Sequence, residues 1–177
     1  VHGSVLVSDG KVMFAAGRSS YVDGGLRLCR LDAATGALIS EATVYSPGPD
    51  GKQPGEKGRD VRGLLNDILL ADGKDVYIRH CKLDFKSGSE SEGGVHLFSP
   101  LGFLDDTWWH RAYWVLHNEF QSHWSGWWKV GNRVPSGRIL SYDDKAIYGF
   151  ARDRYAGGNT GQWRGGEKYQ LYAYDRS

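Results

Sequence analysis

Apolar residues in this chain come in short runs broken by single polar turns. Few stretches carry the three-and-four spacing of a helix. From residue 138 to 150, Ile139-Leu140 is followed by the polar Asp143-Asp144-Lys145 and then by Ile147-Tyr148, the pattern of two strands joined by a tight hairpin. The same arrangement occurs twice earlier. Residues 5–14 place Asp9-Gly10-Lys11 between two apolar runs, and residues 68–78 place Asp72-Gly73-Lys74 between two more. Hairpins repeated at long spacing predict stacked antiparallel sheets in an array or ring, not one α/β domain.

Between these hairpins the first segment reads in order. A polar loop at 18–25 closes on Gly24-Gly25. Leu26-Arg27-Leu28-Cys29-Arg30-Leu31 follows as a period-2 strand, read with Leu and Cys on one face and Arg on the other. Asp32-Ala33-Ala34-Thr35-Gly36 is a turn in which Asp and Thr can bond the backbone and Gly can take positive φ. Residues 37–44 return as a fourth strand. Three stretches rich in Gly, Pro or Ser, 46–58, 86–94 and 155–166, read as surface insertions.

Composition agrees with an all-β chain: 25 Gly for turns, 10 Tyr and 7 Trp for pleated half-buried surfaces, and 1 Met. A formal net charge of +1 with no basic block gives no footprint for nucleic acid. No apolar run reaches the ~20 residues of a membrane helix, and no signal peptide opens the chain. Cys29 and Cys81 sit in similar settings, Leu28-Cys29-Arg30-Leu31-Asp32 and His80-Cys81-Lys82-Leu83-Asp84. They are open to two readings, small buried hydrophobes or a disulfide, and the second needs an oxidising compartment. Neither lies in a Cys-x-x-Cys pattern of zinc or haem sites.

Arg30-Leu31-Asp32-Ala33-Ala34-Thr35-Gly36 resembles the repeat signature of the PQQ-like, quinoprotein-type β-propellers, Ala-x-Asp-x-x-Thr-Gly-Lys-x-x-Trp, with Arg30, Ala37 and Ser40 in place of the Ala, Lys and docking Trp. His96-Leu97-Phe98-Ser99-Pro100-Leu101-Gly102 is assigned the corresponding place in a second repeat, and Leu171-Tyr172-Ala173-Tyr174-Asp175 in a third. The 97–111 run is similar to a divergent secreted branch of those proteins. The resemblance implies a partial β-propeller of about three four-stranded antiparallel blades, at residues 1–63, 64–134 and 135–177. It also implies a periplasmic or extracellular location. Three blades do not close a ring, so the expected partners are the remaining blades, from the same protein or another chain. No nucleic acid and no membrane span are expected.

Candidate chemistry gathers at Asp105, Asp106, Trp108, Trp109, His110, Arg111, His117, His123, Trp127 and Trp128. The acids and histidines are types that bind metal, but no ligand spacing is recognisable, and no metal site is assigned. Trp108, Trp109, Trp127 and Trp128, with His110 and Arg111, could stack on a planar ligand or sugar; the plainer reading is that the tryptophans pack one sheet on the next. No cofactor is evident from the residues; PQQ with calcium enters by resemblance alone. Glu119 with Asp105 or Asp106 has no separation that would define a glycosidase pair, and no Gly-x-Ser-x-Gly elbow or phosphate loop is present. The expectation is a non-catalytic binding or scaffold module. A quinoprotein dehydrogenase and a carbohydrate-binding propeller are the alternatives.

Overall fold

All three hairpins fold as read. The computed structural model describes residues 3–47, 64–100, 102–104, 112–120, 126–155 and 168–176, with the backbone alone at 126 and 127. It forms four antiparallel sheets of three or four strands and, among the described residues, one helix. Two compact units divide it, Val1–Gly93 and Gly94–Ser177.

The first unit holds two four-stranded sheets, each with its strands side by side in chain order. Strands β1 (Val5–Ser8), β2 (Lys11–Ala16), β3 (Leu26–Asp32) and β4 (Leu38–Val44) make one; β5 (Leu69–Asp72), β6 (Asp75–Ile78), β7 (Cys81–Leu83) and β8 (Glu90–Glu92) make the other. One core lies between them. Met13, Ala15, Leu26, Leu28 and Val44 from the first sheet meet Leu69, Val76, Ile78, Leu83 and Phe85 from the second. Each large side chain so buried contributes about 1.5–3 kcal/mol. Polar pins hold the sheets together. The Asn66 amide nitrogen donates to the carbonyls of Ala15 (3.0 Å) and Gly17 (3.1 Å), and the Leu69 amide donates to Ser4 Oγ at 2.6 Å.

The repeated turn has a second copy that differs from the one assigned at 96–102. In the first copy Asp32 Oδ1 accepts from the amides of Ala34 (3.1 Å) and Thr35 (2.8 Å) and from Thr35 Oγ1 (2.7 Å), while Gly36 takes φ +72°. Asp84 Oδ1 does the same for Lys86 (2.7 Å) and Ser87 (3.4 Å), and Gly88 takes φ +69°. Both turns also close through the glycine amide onto the Asp carbonyl, at 2.9 and 3.0 Å. Cys29-Arg30-Leu31-Asp32-x-x-Thr35-Gly36 is thus repeated as Cys81-Lys82-Leu83-Asp84-x-x-Ser87-Gly88, and part of the 86–94 stretch read as a loop is strand β8.

This shortens the second sheet. Arg79, at φ +52°, turns β6 directly into β7, so four strands fit into residues 69–92. Among the described residues there are therefore four sheets where about three were expected. The face assignment in β3 is also corrected. Leu26 and Leu28 enter the core, and Arg30 follows them on that face, its guanidinium carbon 5.6 Å from the centre of the core Phe85 ring. Cys29 lies on the opposite face with Arg27, as alternation requires.

The second unit pairs two three-stranded sheets, again in chain order. Strands β9 (His96–Phe98), β10 (Trp114–His117) and β11 (Ser136–Gly137) form one, and β12 (Ile139–Tyr142), β13 (Ala146–Arg152) and β14 (Tyr169–Asp175) the other. Leu116 packs between them on Leu140 and Ile147, with Leu97, Trp114, Tyr142 and Tyr172 around it. Helix α1 (Gly126–Gly131) precedes β11, where only strands were expected.

Candidate functional site

Of the residues singled out in the sequence, Trp108, Trp109, His110 and Arg111 lie outside the described residues, as do Asp105, Asp106 and His123 and the side chain of Trp127. Trp128 is half-buried on α1, with the Lys129 ammonium 5.6 Å from its ring centre and its buried indole Nε1 without a hydrogen-bond partner among the described residues. His117 accepts the Glu119 amide on Nδ1 at 3.0 Å, which places its proton on Nε2, and Glu119 is engaged by Arg133. Among the described residues no three His, Cys, Asp or Glu side chains converge as they would around a cation. Cys29 and Cys81 are both free thiols, so no disulfide joins them.

A cavity of about 300 Å³ lies in the second unit beside the end of α1, at the low end of the size of small-molecule sites. Three chain segments build it. Residues 131–136 leave α1 and enter β11; Ala151, Arg152 and Asp153 end β13; Gln170, Tyr172 and Tyr174 project from one face of β14, two residues apart. Tight local bonding fixes the first segment. The Gly131 amide donates to Tyr113 Oη at 3.1 Å, Ser136 Oγ donates to the Gly131 carbonyl at 2.9 Å, and Asn132 exchanges two bonds with the Tyr155 backbone at 2.7 and 2.8 Å. Tyr172 crosses the cavity wall to donate to the Ser136 carbonyl at 2.6 Å, and its ring centre is 4.6 Å from that of Tyr174. No Cβ fits at Gly149, where it would stand 2.3 Å from the Tyr172 ring. Glycine there is what lets Tyr172 lie flat on β13.

The electrostatics suit binding more than proton transfer. Burial raises the phenols of Tyr113 and Tyr155, and it pushes Tyr172 up to about 12 against the opposing bond to Ser136. All three stay neutral hydroxyls at ordinary pH. Arg152 Nε donates to Tyr169 Oη at 3.2 Å, so its guanidinium is held in place at the edge of the site. The lining therefore offers a flat aromatic wall, amide and hydroxyl groups, and charges of both signs.

Sequence inspection missed this site because its parts are dispersed. The local signal is the period-2 Gln170-x-Tyr172-x-Tyr174, most of which falls in the 171–175 run assigned to a third repeat. No family model, no curated protein and no solved structure matches the chain.

Proposed function

We propose that the chain is a segment of a PQQ-like β-propeller that serves as a non-catalytic binding and scaffold module of a larger extracytoplasmic protein. The observation that carries the reading is the duplicated unit in the first half. Two consecutive sheets run in chain order, the same Asp-x-x-Thr/Ser-Gly turn joins their last two strands, and they pack face to face. This arrangement supports the reading, since adjoining propeller blades are four-stranded antiparallel sheets set around one axis. The long connections between strands would carry recognition, as loops on a rigid scaffold do. Partner blades are favoured by β14, which ends its sheet with Leu171 84% exposed and Tyr169 and Tyr174 uncovered.

The test is a titration with PQQ and Ca²⁺ followed by dye-linked alcohol oxidation. The scaffold reading expects neither bound-cofactor absorbance nor dye reduction; both together would replace it with the quinoprotein dehydrogenase. All seven tryptophans fall within residues 94–177. Saturable quenching of their fluorescence by a soluble polysaccharide would assign the binding to carbohydrate.

A further inference from the structure

The face-to-face sheets of the first unit leave an opening of about 270 Å³ between the β1–β2 turn and the β5–β6 turn. At ~30 Å³ per water, that is room for about nine water-sized groups. Its floor is apolar, formed by Met13 and Val76 of the core, and its walls carry three cations, Lys11, Arg30 and Lys74, against one acid, Asp9. Lys11 Nζ donates to the Asp9 backbone carbonyl at 3.2 Å. Asp75, the neighbouring acid on β6, is taken by Lys82 at 2.7 Å.

Arg30 is the informative residue. It follows Leu26 and Leu28 on the core face of β3, where a third apolar side chain would complete the pattern. Its guanidinium rests on Phe85, and among the described residues its buried Nε has no hydrogen-bond partner. Arg30 thus brings a half-buried charge to the opening, flanked by two further cations, an arrangement that is costly unless an opposite charge meets it.

We propose that this opening is an anion site that takes one small carboxylate or phosphate group. Arg30 would supply the planar donor fork that fits either oxyanion, Lys11 and Lys74 would close on it from the two turns, and Met13 and Val76 would face any short apolar remainder of the ligand. The whole site lies within the first unit, so it stands apart from the propeller reading.

The test uses inorganic phosphate and malonate as probes, titrated into the protein by calorimetry and by amide NMR at ionic strength matched with sodium chloride. Saturable one-site binding is expected, with the amides of Gly10, Gly73 and Lys74 shifting together. Binding of malonate but not phosphate would assign the site to carboxylates, and the converse to phosphates. Arg30→Met keeps the apolar stem on Phe85 and should weaken binding about tenfold or more, the scale of one charge-assisted hydrogen bond. Shifts that follow ionic strength whatever the anion would overturn the proposal, as would unchanged affinity in Arg30→Met. If that variant does not fold, Lys11→Met with Lys74→Met, both on the outer turns, carries the same test: undiminished affinity there refutes the site.

Discussion

Phe85 is where the two copies of the repeated turn part company, and its replacement by Ala tests the packing of the first unit. The turns at Asp32 and Asp84 share backbone shape and hydrogen bonds, yet Ala33 is exposed and Phe85 is completely buried between the sheets. A Phe→Ala change in such a core costs about 3–5 kcal/mol. Arg30 would also lose the ring beneath its guanidinium, a contact of about 0.5–2 kcal/mol that overlaps the first figure. Since domains of this size are stable by about 5–15 kcal/mol, about a fifth or more of the total is at stake. With a urea slope of about 1–3 kcal/mol/M, the midpoint should fall by roughly 2 M. Far-UV circular dichroism against urea would measure it, with deuterium exchange locating the loss in β5 to β8. Ala33→Phe, at the matching position, should change stability by no more than about 0.5 kcal/mol. A loss under about 1 kcal/mol in Phe85→Ala, or equal losses in the two variants, would refute the account.

The paired glycines give a second contrast. Gly36 and Gly88 share a left-handed conformation, but a Cβ at Gly36 meets nothing, whereas one at Gly88 would stand 2.5 Å from the Thr43 carbonyl. Gly36→Ala should cost about 1–2 kcal/mol and Gly88→Ala clearly more, read as calorimetric midpoints. Asn66→Asp removes both donors to Ala15 and Gly17 and buries a carboxylate against their carbonyls; it should destabilise more than Asn66→Ala, itself about 1–3 kcal/mol, in urea melts. Burial lifts the Cys81 thiol from its ordinary 9.0 to about 12, with Glu90 adding to the effect. The folded thiol thus keeps a proton that the unfolded chain gives up, so its contribution to stability is whole below pH 9 and declines towards pH 12. Iodoacetamide at pH 8 should label Cys81 only as fast as the protein opens. Asp32 and Asp84 move the other way: hydrogen bonds from Thr35 hold the first below the ordinary 3.8, and those from Lys86 and Ser87 hold the second there. Their turns should be intact above that value and loosen as pH falls below it, with carboxyl carbon NMR midpoints under 3.8 as the check.

Local pattern was enough for the hairpins at 5–14, 68–78 and 139–150, because alternation and a polar turn act within a few residues. It did not show that the turns differ. Asp9-Gly10 both take positive φ, Gly73 alone does so in the second hairpin, and Asp143 caps a four-residue loop by accepting from Lys145 and Ala146 at 2.8 Å. The Asp84 turn could have been found from the matched Cys-x-Leu-Asp settings, but Ser87 in place of Thr hid it from a search for the Thr-Gly signature. The lining of the Tyr172 cavity comes from three segments between residues 131 and 174, and that of the Arg30 opening from residues 8 to 76. No window along the chain contains either set.

By itself, then, the order of residues determined where strands begin and turn, since backbone preference and period-2 alternation are local forces. Which sheet each strand joins, that Phe85 is core while Ala33 is solvent-facing, and that Arg30 lines the same opening as Lys11 and Lys74 were decided only when the sheets closed on one another. Burial is a property of the neighbours a residue acquires, and those neighbours lie dozens of residues away.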